Sequence, residues 1–189
     1  MKAQDISKKP IIKILDFIAY WISRIGYLFG YCYQGKVGHL RKLWVQSLWK
    51  ARLRSMGEST ELYPNVVIHS PNHVSIGANV AIAEFVHIWG SGGVNIGNDV
   101  LIASHVVITS QTHDPDENLH RSTMIKKSVI IGDNVWIGAG SVILPGITIG
   151  RGSVIGAGSV VTSNIPENQL AVGVPARLVR NLKCESINT

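Results

Sequence analysis

The sequence predicts an all-β solenoid behind an N-terminal helical region, with one long loop let into the solenoid. Three observations carry this. From Ile76 the chain repeats with a six-residue period, the period breaks off just after His113 and resumes at Ile131, and ahead of the repeat apolar residues recur at helical spacing among basic ones. The 189 residues, 46% hydrophobic and 16% charged, suffice for one domain with a core and a small appendage, and they exclude disorder. The boundaries follow: a helical region over 1–60 and a solenoid over 61–189, its loop at about 114–128 and its C-terminal tail at about 175–189.

The helical region holds the positive charge. Residues 1–60 carry eleven Lys/Arg against three Asp/Glu, or +8, and the remainder seven against nine, or −2, which gives the net +6. No nucleic-acid-binding fold or stacking aromatics accompany that charge, so nucleic acid is not an expected partner. From Ile11, "IIKILDFIAYWISRIGYLFGYCY" has the length of a membrane span, but Lys13, Asp16 and Arg24 interrupt it. No small-residue cleavage site follows a clean apolar core, so no secretory leader is expected. From His39, the residues Leu40, Leu43, Trp44, Ser47, Leu48 and Ala51 recur at three- and four-residue spacing, with Arg41, Lys42, Lys50, Arg52 and Arg54 around them. A basic amphipathic helix of this kind either packs on the body or a neighbouring subunit, or grips an anionic membrane surface. Two cysteines, Cys32 and Cys184, make no disulfide framework and point to a reducing compartment. The expected location is the cytoplasm, with peripheral contact at the inner membrane face.

The repeat defines the solenoid. From Ile76 the blocks read "IGANVA", "IAEFVH", an eight-residue "IWGSGGVN", "IGNDVL", "IASHVV" and "ITSQTH"; after the break come "IGDNVW", "IGAGSV", "ILPGIT", "IGRGSV", "IGAGSV" and "VTSNIP". Each opens on an aliphatic residue, and an extended chain alternates faces, so the first and fifth places point to the same side. A small residue at the second place permits a bend. Three such strands make a triangular turn of about eighteen residues, and stacked turns bury the aliphatic ladder. The Ile and Val residues are therefore core, and function belongs to corners and interruptions.

Blocks such as "IGDNVWIGAGSVILPGITIGRGSVIGAGSVV", with "THDP" before them and "AVGVPARLVR" after, resemble the hexapeptide-repeat acyltransferases over roughly Leu62 to Arg180. The branch most similar contains galactoside, maltose and nodulation-type acetyltransferases with polysaccharide and lipopolysaccharide O-acetyltransferases. That resemblance implies a left-handed parallel β-helix, a homotrimer with sites between subunits, and acetyl-CoA as acyl donor with no metal required. It also implies a carbohydrate acceptor, here a sugar of a surface polysaccharide or lipopolysaccharide precursor, or alternatively a small or nucleotide-linked sugar.

The break in the repeat then has a purpose. Thr112 falls at the inward fifth place of its block, so His113 lies at a corner with its ring outward, and "DPDENLHRSTMIKKS" leaves the coil as a polar loop suited to walling a site. His113 matches the family's catalytic histidine. Transfer from a thioester to a sugar hydroxyl needs a general base for the hydroxyl proton, and imidazole suits that task. Asp114 or Asp116 is the candidate to fix the tautomer of His113. By the same resemblance Ala139 supplies a backbone N–H to the thioester oxygen, Ala157 and Thr162–Ser163 touch coenzyme A, Arg177 and Arg180 reach its phosphates, and Trp136 lines the acceptor and pantetheine region. Ala83 replaces an acceptor-binding Asn of the small-sugar enzymes, which shifts the expectation away from their acceptors. The enlarged block "IWGSGGVN" bulges near His113, with His87 and Trp89 bordering an acceptor groove.

Two other classes give different expectations. In gamma-class carbonic anhydrases three histidines bind zinc on this solenoid, but His87 and His113 end their blocks while His105 stands fourth in its own, so the spacing departs from that pattern. An inactive scaffold would tolerate replacement of His113.

Overall fold

The computed structural model describes residues 36–120 and 122–182. The chain divides into two compact units between Val45 and Gln46. The described helix, α1, spans Lys36–Arg52, and the segment from Ile11 to Tyr33 with both cysteines lies outside the described residues. No helix among the described residues is long and apolar enough to cross a membrane.

From Ser55 the chain winds as a parallel solenoid with three faces. The first face stacks Ser55–Met56, Val74–Ile76, Val94–Ile96, Val129–Ile131 and Thr148–Ile149. The second runs Glu61–Leu62, Ala81–Ile82, Leu101–Ile102, Trp136–Ile137, Val154–Ile155 and Gln169–Val172, and the third Val67–His69, His87–Trp89, Val107–Thr109, Val142–Ile143 and Val160–Val161. The predicted ladder is in register: Ile82, Ile102, Ile137 and Ile155 pair successively on the second face, and Ile68, Ile88, Ile108 and Ile143 on the third. Most of these side chains are wholly buried. Burying each contributes about 1.5–3 kcal/mol, repeated coil after coil.

The inward fifth place holds Val80, Val86, Val100, Val106 and Val135, then Ser141, Ser153 and Ser159, all buried. The serines belong there because each hydroxyl has a carbonyl to donate to: Ser141 Oγ and Ser159 Oγ reach Gly156 O at 3.0 and 2.6 Å, and Ser153 Oγ reaches Pro166 O at 2.7 Å. The bend is made elsewhere than at the second place. It falls at the fourth, where Asn79, Asp99, Asn134, Gly140 and Gly158 adopt left-handed conformations with φ between 52 and 68°. Second-place glycines serve close approach instead: a Cβ on Gly77 would lie 2.5 Å from Gly97 O.

The last turns of α1 meet the first coil by residues outside the predicted stripe. Trp44, Ser47, Leu48 and Ala51 are exposed, while Gln46, Trp49 and Leu53 turn inward. The reason is polar. The edge residue Leu62 needs partners at the open end of the solenoid, and the Gln46 amide gives both, its Nε2 donating to Leu62 O (2.9 Å) and its Oε1 accepting from Leu62 N (3.1 Å).

Two further expectations are corrected. Thr112 is not inward, because the coil ends at buried Ser110 and residues Gln111–His113 pair antiparallel with Met124–Lys126, so the interruption is a hairpin that starts earlier than the expected loop. The Lys127 N–H closes it by donating to Ser110 O (3.0 Å). Nor is the C-terminal segment a free tail: Arg177–Asn181 folds back antiparallel onto Gln169–Val172.

Candidate active site

The hairpin positions His113. It projects from the edge between the third and first faces, where the chain leaves Val107–Thr109 and returns at Val129, and His113 lies opposite Met124 with its ring exposed. His113 Nδ1 lies 3.1 Å from Thr123 O. A carbonyl oxygen only accepts, so this contact requires the proton on Nδ1, and in the neutral ring it leaves Nε2 with its lone pair directed elsewhere. Asp114 is otherwise engaged: its Oδ1 accepts from the Asp116 N–H (3.0 Å) and its carbonyl from His120 Nδ1 (3.3 Å). The orienting partner is therefore the Thr123 backbone, which a search for carboxylates passes over.

A second group of residues lines the edge between the second and third faces. Backbone bonds run along it: His105 N–H to Glu84 O (3.2 Å), Gly140 N–H to Ser104 O (3.0 Å) and Gly158 N–H to Ala139 O (2.8 Å). Ala139 and Ala157 are exposed neighbours on this edge, and the Ala139 N–H donates to no group among the described residues. Beside them the edge is bare, since a Cβ on Gly140 or Gly158 would meet nothing within 4 Å. Trp136, half exposed, stands on the adjoining second face, and its row continues through Val154 and Leu170 to Arg180. Arg177 pairs with Val172 on the same hairpin. Both arginines are exposed and form no ion pair among the described residues. An exposed N–H, an open edge, an aromatic and two exposed guanidinium groups, each donating only to a nearby backbone carbonyl, thus share one side of the prism. Thr162 and Ser163 do not join them; they lie exposed past the last strand of the third face, toward the edge that carries His113.

In a triangular solenoid the edge between the third and first faces is opposite the second face. One chain therefore holds His113 and its open N–H edge at two different edges, which flank the third face. His87 and Trp89 both point outward from the third face between those edges, Trp89 stacked on His69 at 4.1 Å. His87, His105 and His113 do not converge within the chain, and among the described residues no three His, Cys, Asp or Glu side chains gather as a metal site would require.

Sequence reasoning missed a feature of the open edge. At the left-handed fourth place, where other coils have Asn, Asp or Gly, two successive coils carry Phe85 (φ 61°) and His105 (φ 63°). For a bulky residue this conformation costs of order 1–2 kcal/mol. The signal was available as two rings at a place otherwise reserved for turn formers.

Known proteins bear this architecture. The family description "Bacterial transferase hexapeptide (six repeats)" matches residues 128–163. The galactoside O-acetyltransferase of Escherichia coli K12 is 39% identical over 138 residues, which are 72% of this chain and 68% of that protein. WbbJ of the same organism, named for lipopolysaccharide biosynthesis as an O-acetyl transferase, is 39% identical over 118 residues, 57% of this chain and 60% of its own. Among solved structures, the hexapeptide-repeat acetyltransferase VCA0836 of Vibrio cholerae, complexed with acetyl coenzyme A, superposes with a TM-score of 0.71 at 31% identity over 73% of this chain and 76% of that one.

Proposed function

The chain belongs to the hexapeptide-repeat acyltransferases, and from that premise we propose that it moves an acetyl group from acetyl-CoA to a hydroxyl of a surface-polysaccharide or lipopolysaccharide sugar. The observation that carries the reading is the free Nε2 of His113, set by the Nδ1–H bond to Thr123 O. Nε2 takes the acceptor hydroxyl proton as that oxygen attacks the thioester carbonyl carbon. The carbonyl oxygen becomes an oxyanion, for which the unused Ala139 N–H is the donor. Collapse breaks the carbon–sulfur bond, and the proton on Nε2 passes to the departing thiolate, leaving the acetyl ester and coenzyme A. General-base assistance of this type is worth about 10²–10⁴ in rate.

Because His113 and Ala139 lie at different edges of one chain, we read the site as shared by two copies, one giving the hairpin and the next giving the edge. A homotrimer satisfies that with three equivalent sites. Acetyl-CoA would lie along the open edge past Ala139 and Ala157 with Trp136 beside it, its phosphates toward Arg177 and Arg180, guanidinium groups suited to them. Thr162 and Ser163, on the far edge, would touch coenzyme A held mainly by the neighbouring copy. His87 and Trp89 border the acceptor. The exposed Trp44 and Leu48 with Lys50 and Arg52 suit a peripheral grip on an anionic membrane, where lipid-linked sugars are presented.

The test is thiol release from acetyl-CoA with sugar acceptors, in wild type and His113→Ala. Loss of turnover with acetyl-CoA binding retained is the expected result. Equal turnover by the two proteins would remove His113 from the mechanism.

A further inference from the structure

We infer that Phe85 and His105, with Glu84 beside Phe85 in its coil, form the wall that recognises the acceptor's pyranose ring; this deepens the acetyl-transfer reading and rests on it. Five coils place one residue each at the left-handed position of the edge between the second and third faces, in order Asn65, Phe85, His105, Gly140 and Gly158. Three of them are residues that this conformation favours. Phe is not, and a fold under selection for stability alone would place Asn or Gly there as the neighbouring coils do. The strain is retained for what the ring touches.

The location says what that is. The edge is continuous, each coil bonded to the next through Glu84 O, Ser104 O and Ala139 O. Its bare end, at Gly140 and Gly158, leaves room for the donor, and the Ala139 N–H, which like its counterparts in the neighbouring coils has no acceptor among the described residues, is the proposed donor to the thioester oxygen. One coil beyond the thioester the edge stops being bare. There the His105 ring meets the Phe85 ring at 5.1 Å, tilted by 30°. The acceptor must approach the carbonyl carbon from the side the donor does not fill, so it arrives against these two rings. A pyranose offers an apolar C–H face and a rim of hydroxyls. Exposed rings match the face, and the Glu84 carboxylate, 3.5 Å from Ser104 Oγ and half-buried, accepts from the rim. The residues just before, Ala83 and Ala103, are short and leave the floor free for the ring.

The experiment uses Asn as the probe residue, because Asn65 already occupies the equivalent position with φ 63°. Phe85→Asn, His105→Asn and Phe85→Tyr are prepared in the full chain. The acceptor is whichever of p-nitrophenyl β-D-galactopyranoside, p-nitrophenyl α-D-glucopyranoside and N-acetylglucosamine the wild type acetylates fastest. Phe85→Asn is expected to raise the thermal midpoint by about 2–4 °C through relief of backbone strain. It should leave acetyl-CoA affinity unchanged by calorimetry, and it should raise acceptor KM about tenfold. His105→Asn should raise KM in the same direction, and Phe85→Tyr should restore it. An unchanged acceptor KM in both Asn variants overturns the inference while leaving the transfer reading intact. So does a loss of acetyl-CoA affinity matching the KM change, since the rings would then belong to the donor channel. A wild type that binds no acetyl-CoA removes the transfer reading and this inference with it, whereas one that binds it and acetylates none of the three sugars overturns this inference alone, since the edge then recognises no free pyranose ring.

Discussion

Mixing two dead variants should regenerate activity if the site is shared, because the proposed base and the proposed oxyanion donor lie at different edges of one chain. The first variant is His113→Ala, which removes the base but leaves the edge. The second is Ala139→Pro, which deletes the N–H while keeping the turn. Pro64 stands at the same place in the first coil, directly before Asn65 in the left-handed conformation, so the backbone there admits proline. Alone, the first should lose about 10²–10⁴ in kcat and the second about 10²–10³, each with acetyl-CoA still bound. In co-expressed heteromers a site works only when the chain giving the hairpin is the proline variant and the chain giving the edge is the alanine variant. In a ring of three, every mixed composition has one such junction among its three sites, so about a third of the wild-type activity should return. A site built inside one chain would return none. The assay is thiol release by tandem-tagged, purified heteromers whose composition is fixed by native mass spectrometry. Heteromers of mixed composition with no activity beyond that of the parents would refute the shared site.

Arg177→Ala with Arg180→Ala should weaken acetyl-CoA binding in calorimetry by at least about tenfold and flatten its salt dependence, since two charge-assisted contacts are lost; unchanged affinity would put the phosphates elsewhere. Ile102→Ala removes a wholly buried rung between Ile82 and Ile137. It should cost about 2–5 kcal/mol, seen as a fall in thermal midpoint by scanning calorimetry. The full chain should sediment with phosphatidylglycerol vesicles at low salt and be released as salt screens the basic helix; a protein left wholly in the supernatant at low salt counts against the membrane contact.

The solenoid was legible because its core rule is local. Ile at the first place and Val or Ser at the fifth fix which side faces in, and in the structure Ile82, Ile102, Ile137 and Ile155 meet in the register the blocks require. What the blocks could not convey was the job of each small residue. Gly at the second place reads as a bend, yet Gly77 is small because Gly97 O comes close, and the bend belongs to Asn79 two places later. The hairpin escaped because "QTH" and "MIK" are too short and polar to announce strands, and Thr112 kept the pattern for one residue after the coil had ended. On α1 the amphipathic stripe was present but did not decide the packed face. Two hydrogen bonds from one Gln46 amide did.

Half of the candidate site was hidden for a chemical reason: it is backbone. The group that meets His113 Nδ1 is the carbonyl of Thr123, and the proposed oxyanion donor is the N–H of Ala139, so the side-chain identities at these positions carry no mark of either role. Side chains become informative where they oppose the backbone. A solenoid presents each edge position once per coil, so every residue there is measured against siblings in the same geometry. Asn65, Gly140 and Gly158 satisfy the left-handed turn, whereas Phe85 strains it, with the His105 ring against it, at the two coils next to the proposed thioester position. If those rings served only to cover the edge, Asn at both places would be a pure gain. The coupling of higher thermal stability to weaker acceptor binding in Phe85→Asn therefore distinguishes a residue retained for substrate from one the coil merely tolerates.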